Sequence, residues 1–105
     1  SMPTDDNNPT EFAVRLAGYR AEIDRFDDEL IDLIQRRSEI VAKVGALKNE
    51  MLDTRCYIRP GREATMVRRI VQQFADHPFS AAAAAAIWRL VIAASTSIEQ
   101  PLRIV

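Results

Sequence analysis

The amino-acid sequence predicts an all-α protein built from one long amino-terminal helix and two shorter helices. Apolar residues recur at alternating spacings of three and four over five heptads, which is the pattern of a helix with one apolar seam. The 105 residues include three glycines and five prolines, and four of these prolines fall at candidate helix boundaries. The hydrophobic fraction of 48% and the charged fraction of 28% are ordinary for a folded chain. No segment has the pattern of a sheet-forming strand.

The first predicted helix runs from about residue 10 to about residue 52. Asn8 or Thr10 can cap its start, and Pro9 is acceptable in a first turn. About 43 helical residues give a length of roughly 64 Å. The apolar seam comprises Leu16, Tyr19, Ile23, Phe26, Leu30, Leu33, Ile40, Val44, Leu47 and Met51. One seam position, between Leu33 and Ile40, is occupied by Arg37.

Two further helices are predicted over about residues 60–75 and 80–100. Pro60 disfavours helix at the residue before it, so "LDTRCYIRPG" is interpreted as a loop. Ser80 is a suitable cap for the third helix, and Pro101 ends it. The predicted inward faces comprise Glu63, Val67, Ile70, Val71 and Phe74 on the second helix, and Ala84, Ile87, Trp88, Val91, Ser95 and Ile98 on the third.

The unequal helix lengths favour a homodimer. Helices of about 16 and 20 residues are roughly 24 and 30 Å long, so as a hairpin they cover about half of the first helix. An apolar seam left half bare would promote aggregation. Pairing of two long helices under two-fold symmetry, most simply antiparallel, covers it. We therefore expect an intertwined homodimeric helical bundle.

Composition argues against several classes of function. The net charge of −1 gives no general attraction for nucleic acid. A single Cys56 and a single His77 cannot form a disulfide or a metal cluster. The apolar run "AAAAAAIW" stops at Arg89, and the polar start is unlike a signal peptide. We expect a cytoplasmic protein without metal or membrane contact, with residues 1–9 disordered, Ser1 a cloning remnant, and one domain over residues 10–105.

Five polar residues lie on faces that the pattern marks as apolar or that flank them, namely Arg37, Lys48, Glu63, Ser95 and Glu99. Each has an ordinary explanation. Ser95 can bond back to its own helix, Glu63 can favour a helix start, and Lys48 and Glu99 can be solvated. Arg37 can form a structural ion pair, since an unpaired buried charge costs several kcal/mol. Alternatively, these residues line a site for a small anionic ligand between helices.

Spacing along the first helix sets the size of such a ligand. Arg37 and Lys48 are 11 residues apart, or roughly 16 Å of helix axis, and their side chains could hold a molecule about 8 to 10 Å across. Arg20 lies about 25 Å from Arg37 along the same axis, so it reaches that ligand only from an antiparallel partner. The sequence has no nucleophile–base arrangement and no glycine-rich phosphate loop. An enzyme with this inventory works by positioning and electrostatics.

These residues and their spacing resemble the all-helical class of chorismate mutases over residues 16–102. The resemblance is carried by "YRAEIDRFDDELIDLIQRRSEIVAKVGALK", "IRPGREATMVRRI" and "IWRLVIAASTSIEQPL". It implies an intertwined helical dimer that converts chorismate to prephenate on the route to phenylalanine and tyrosine. This Claisen rearrangement breaks a C–O bond as a C–C bond forms, without a cofactor or covalent intermediate. Chorismate carries two carboxylates, which suits the excess of cations.

The resemblance also implies roles for four residues around the reacting atoms. Arg37, with Arg20 of the other subunit, is expected to bind the substrate carboxylates through forked guanidinium contacts. Lys48 is expected beside the ether oxygen, where negative charge grows in the transition state. Glu99 occupies a position where a Gln or Glu donates a hydrogen bond to that oxygen. A carboxyl donates only when protonated, so we expect turnover to fall as the pH rises.

Three more residues are implied to contact the substrate, and one position departs from the family pattern. Arg62 and Glu63 match an Arg-Glu pair at the start of the second helix, and Glu63 is expected to accept a hydrogen bond from the substrate hydroxyl. Ser95 matches a position that contacts a carboxylate. An acidic residue often precedes the motif arginine by three positions; here it is Arg59. The loop containing Cys56 is also longer than in single-domain members of the family.

Three alternatives fit the same residues. An isochorismate-pyruvate lyase uses a similar scaffold and similar cations, although the long loop and "RPGRE" favour the mutase. The segment "IEQPLRIV" resembles the junction to a prephenate dehydratase domain, so the chain could be the mutase domain of a bifunctional enzyme. A non-catalytic dimeric coiled-coil adaptor is the third. It predicts that Arg37→Leu stabilises the dimer and removes no activity.

Overall fold

The computed structural model describes residues 8–50 and 61–99. These residues form three helices, which are α1 (Pro9–Glu50), α2 (Gly61–Gln73) and α3 (Ala81–Glu99). The described residues contain no strand. The all-α prediction of one long and two shorter helices is therefore confirmed. The loop around Cys56 and Arg59 and the segment from Pro101 onward lie outside the described residues.

Helix α1 begins where the capping prediction placed it. The side-chain Oδ1 of Asn8 accepts hydrogen bonds from the backbone N–H groups of Thr10 (2.9 Å) and Glu11 (3.4 Å). The Asn8 carbonyl accepts the first helical bond, from Phe12 at 2.9 Å. Pro9 has no N–H to satisfy in this first turn. Of the two predicted caps, Asn8 is therefore the one used.

By its contacts the chain divides into two compact units, residues 1–37 and residues 38–105. In the first unit the structure describes α1 from Pro9 to Arg37, with its seam open to solvent: Tyr19, Ile23, Phe26, Leu30 and Leu33 are each 55–58% exposed. In the second unit, Ile40 and Leu47 on the remainder of α1 are exposed to a similar extent. Large apolar side chains exposed in this regular pattern are typical of a surface that another chain covers.

The second unit has a small core between α2 and α3. Ile70 of α2 and Ala84 and Ala85 of α3 are buried. The short alanines bring the two helix backbones close together. Among the large apolar side chains predicted to face inward, Val71 of α2 is instead 40% exposed, and Ile87 and Ile98 of α3 are 50% and 42% exposed. The apolar repeat in the sequence placed Ile87 and Ile98 on the same helix face as Ala84. The face of α3 that packs against α2 is narrower and includes Ala85.

The turn between α2 and α3 is held by side-chain contacts. The Ser80 hydroxyl accepts a hydrogen bond from the Ala83 N–H at 3.2 Å, as expected for the cap of α3. His77 Nδ1 accepts one from the Phe79 N–H at 3.0 Å, so neutral His77 carries its proton on Nε2. The Phe74 ring lies against His77 and Phe79, with centroids 5.3 and 5.7 Å away. These contacts fix the direction in which α3 leaves the turn.

Helix α3 has a length and composition that bear on the expectation of no membrane contact, which stays a prediction. The run that ends at Arg89 is too short to span a bilayer, but the whole helix Ala81–Glu99 is long and apolar enough by length and composition. The core helix of a soluble protein satisfies the same criteria. Arg89 and Glu99 both lie on α3, and one face of this helix packs against α2.

Candidate active site

Two of the predicted site residues meet in the second unit. The Nζ atom of Lys48, in the last turn of α1, donates a hydrogen bond to Glu99 Oε1, at the end of α3, at 2.5 Å. The residues are 51 positions apart in sequence. This ion pair therefore joins two helices and brings a cation and an acid to one point.

The position of Glu99 explains why it needs a cation. The carbonyl end of a helix carries partial negative charge, which disfavours a carboxylate there. The Lys48 ammonium offsets that repulsion and is itself well placed in the last turn of α1. The side chains are 49% exposed for Lys48 and 27% for Glu99, so the pair adds only about 0.2–1 kcal/mol to stability.

Gly45 lies directly beneath this pair. It is the buried residue of α1, and a Cβ atom built on it would lie 3.0 Å from both the Cα and the carbonyl oxygen of Glu99. The backbones of α1 and α3 therefore touch at Gly45 and Glu99. In the sequence, Gly45 is marked only by lying in the first segment that carries the family resemblance. Its contact with α3 is a tertiary feature that spacing along one helix cannot reveal.

Ser95 forms a hydrogen bond back to its own helix, which is the structural role that its residue type predicts. It is buried, with 8% of its surface exposed, and its hydroxyl donates a 2.7 Å hydrogen bond to the Val91 carbonyl one turn earlier. This bond uses the only proton of the hydroxyl. The oxygen can still accept. A contact with a substrate carboxylate would require the hydroxyl to turn away from Val91.

Arg62 and Glu63 lie in the first turn of α2, and both are exposed. Glu63 contributes to a largely apolar, solvent-open groove of about 750 Å³ between α2 and α3. The same groove is lined by Thr96 and by two arginines, Arg68 and Arg89, that the sequence analysis did not select. No periodicity or motif marks these three residues.

Arg37 and Arg20 lie in the first unit. Arg37 is half-buried, whereas Arg20 is exposed. The neighbouring Arg36 is exposed and pairs with Asp32 one turn earlier at 3.5 Å, as expected for a residue off the seam. The carboxylate-binding roles of Arg37 and Arg20, and the contribution of Arg20 to a partner's site, stay predictions.

Over residues 8–50 and 61–99, no group of three or more His, Cys, Asp or Glu side chains could hold a metal ion. Within the same ranges, no buried side-chain nitrogen or oxygen lacks a hydrogen-bond partner. The chemical groups that converge in the second unit are thus an ammonium and a carboxyl.

The comparison with protein families decides the assignment. The family model described as "Chorismate mutase type II" matches residues 19–100. The chain belongs to this family. It is an enzyme of the isomerase class, a chorismate mutase, and the resemblance drawn from the sequence is confirmed. The matched range contains all of the predicted site residues, namely Arg20, Arg37, Lys48, Arg62, Glu63, Ser95 and Glu99. No curated protein and no solved structure matches the chain significantly.

Proposed function

We propose that this chorismate mutase domain acts as a cytoplasmic homodimer in phenylalanine and tyrosine biosynthesis, and that Lys48 and Glu99 together contact the ether oxygen of chorismate. The observation that carries the proposal is the 2.5 Å contact between Lys48 Nζ and Glu99 Oε1. This contact brings an ammonium and a carboxyl to one point, which supports a site for a reaction in which negative charge develops on one oxygen as its C–O bond breaks.

The rearrangement needs no nucleophile and no proton transfer to carbon. The protein must hold chorismate so that the carbon atoms that will bond are close together, and must stabilise the charge that leaves with the ether oxygen. Lys48 supplies a permanent positive charge for this. Glu99 supplies a hydrogen bond when its carboxyl is protonated. When substrate enters, its ether oxygen replaces the contact between the two side chains.

The two substrate carboxylates require further cations. Arg37 binds one substrate carboxylate and Arg20 of the partner subunit binds the second, each through two parallel hydrogen bonds from its guanidinium group. Arg62 adds positive charge at the start of α2, while Glu63 accepts a hydrogen bond from the substrate hydroxyl. Ser95 donates a hydrogen bond to a substrate carboxylate once its hydroxyl has turned away from the Val91 carbonyl.

The exposed seam of α1 supports the homodimer. Seven apolar seam side chains of the single chain are more than half exposed: Tyr19, Ile23, Phe26, Leu30, Leu33, Ile40 and Leu47. Full burial of one such side chain stabilises a protein by about 1.5–3 kcal/mol. Because each of these side chains is about half exposed, covering it in a dimer would contribute about half of that free energy. The 42 residues of α1 extend about 63 Å, more than twice the length of α3. A second copy offers a surface of equal length and the same pattern.

The proposal is tested by following chorismate loss with wild type and Lys48→Ala. Removal of one preorganised charge at the reacting oxygen should lower kcat about 100-fold or more. Lys43→Ala is the matched control, because Lys43 is an exposed lysine of the same helix and should retain wild-type turnover. Equal turnover in both variants would contradict the role of Lys48. Pyruvate release from isochorismate, measured in parallel, would identify the lyase instead.

A further inference from the structure

The contact between Gly45 and Glu99 is a close approach of two helix backbones, and it leaves no room for a side chain at position 45. A Cβ atom at position 45 would meet Glu99 Cα at 3.0 Å, its carbonyl oxygen at 3.0 Å and its carbonyl carbon at 3.4 Å. Such distances are tighter than nine in ten real Cβ contacts. All three atoms belong to the backbone of α3, so no side chain can rotate away. Any residue larger than glycine must push the two helices apart.

Lys48 lies three residues after Gly45 and therefore on the same face of α1. Both residues meet Glu99: Gly45 contacts its backbone, and Lys48 contacts its carboxylate. The close approach at Gly45 thus sets the distance between the ammonium and the carboxyl. We propose that Gly45 is a positioning residue of the mutase reaction, whose missing side chain holds the carboxyl of Glu99 beside the ammonium of Lys48 at the substrate's ether oxygen.

This inference rests on the proposed function, in which Lys48 and Glu99 act on the same oxygen. It assigns Gly45 no contact with substrate. A Cβ atom 3.0 Å from the backbone of Glu99 requires that backbone to move by a few tenths of an ångström, and a displacement of about 1 Å can cost about 100-fold in rate. The contacts proposed for the substrate carboxylates come from other residues and should survive. Gly45→Ala should therefore lower kcat about 10-fold while KM changes less than about threefold.

The chain offers a matched control in Gly18, a second glycine of α1. A Cβ atom at Gly18 would have no neighbour within 4 Å. Alanine also suits a helix interior better than glycine. Gly18→Ala should keep wild-type kcat and KM and should be at least as stable as wild type. A loss shared by both variants would assign the effect to helix substitution in general and overturn the positioning role.

The decisive measurement is a double-mutant cycle with Glu99→Ala, which removes the carboxyl but leaves the backbone contact. If Gly45 acts by placing that carboxyl, Gly45→Ala should cost about 10-fold in kcat in wild type but less than about threefold in Glu99→Ala. Equal losses in both backgrounds, or no loss in wild type, would overturn the inference. Inactive wild type and inactive Gly18→Ala would instead mean that the proposed function fails.

Glu99→Asp keeps the inference testable if Gly45→Ala does not fold. It shortens the side chain by one methylene and leaves Gly45 and the helix contact unchanged. If the separation of Lys48 and the carboxyl matters, this variant should also lose at least 10-fold in kcat at unchanged KM. Full activity of Glu99→Asp would show that the separation of Lys48 and the carboxyl is unimportant. It would thereby overturn the proposed role of Gly45.

Discussion

Glu99→Gln is the substitution for which the geometry gives the sharpest expectation. In the free chain the Lys48 ammonium lies 2.5 Å from Glu99 Oε1. A carboxylate accepts hydrogen bonds but cannot donate one to an ether oxygen. For the proposed role, Glu99 must take up a proton before or as chorismate binds. A glutamine amide supplies an N–H donor of similar reach at every pH.

The size of the effect follows from proton binding. Once a carboxyl is ionised, each further pH unit lowers its protonated fraction tenfold, which corresponds to about 1.4 kcal/mol. The kcat/KM of wild type reports the free enzyme, so it should fall between about pH 6 and pH 8, by at most about tenfold per pH unit. Over the same range the kcat/KM of Glu99→Gln should change less than about threefold.

The assay is continuous absorbance loss of chorismate, with kcat/KM measured at half-unit steps from about pH 5 to pH 9. Glu39→Gln is the matched control, because Glu39 is an exposed carboxylate on α1 and its removal should leave the wild-type slope intact. A wild-type rate that does not change between about pH 5 and pH 8 would refute the donor role of Glu99. So would a Glu99→Gln variant that keeps the wild-type slope.

Three further predictions concern stability and assembly. Arg37→Leu should unfold at equal or higher denaturant concentration than wild type, because leucine suits the seam, while turnover is lost; an active Arg37→Leu enzyme would favour the adaptor. Leu33→Asp should convert the proposed homodimer to a monomer in light scattering, since it places a charge in the seam that a second copy is proposed to cover; an unchanged mass would contradict the seam interface. Ser80→Ala should lower the free energy of unfolding by about 1 kcal/mol through loss of the α3 cap, and an unchanged urea midpoint would contradict the cap.

Local features of the fold could be predicted from sequence because local rules determine them. The apolar repeat and the scarcity of breakers indicated the continuous helix α1, and capping chemistry placed Asn8 and Ser80 at helix starts. The burial of α3 was predicted less well. Ile87 and Ile98 share the stripe of Ala84 but are exposed in the single chain, because a helical repeat does not specify how wide the covered face is.

The residues of the candidate site also divide into those that the sequence predicts and those that depend on contacts between helices. Arg37 was selected by the seam pattern, since an arginine there is out of place in an otherwise apolar stripe. The pairing of Lys48 with Glu99 could not follow from spacing, because the residues are 51 positions apart on different helices. The family resemblance supplied that connection. Gly45 was not assigned a role from sequence, since its importance depends on which backbone of another helix it meets.

The most direct test of the account compares chorismate conversion by wild type, Arg37→Ala and Arg36→Ala, with the product identified by NMR. Arg36 is an exposed neighbour paired with Asp32, so its variant controls for loss of one positive charge. The account predicts prephenate formation by wild type and by Arg36→Ala, and a loss of kcat/KM of about 100-fold or more in Arg37→Ala. Wild-type protein that forms no prephenate, or Arg37→Ala that retains full activity, would contradict it.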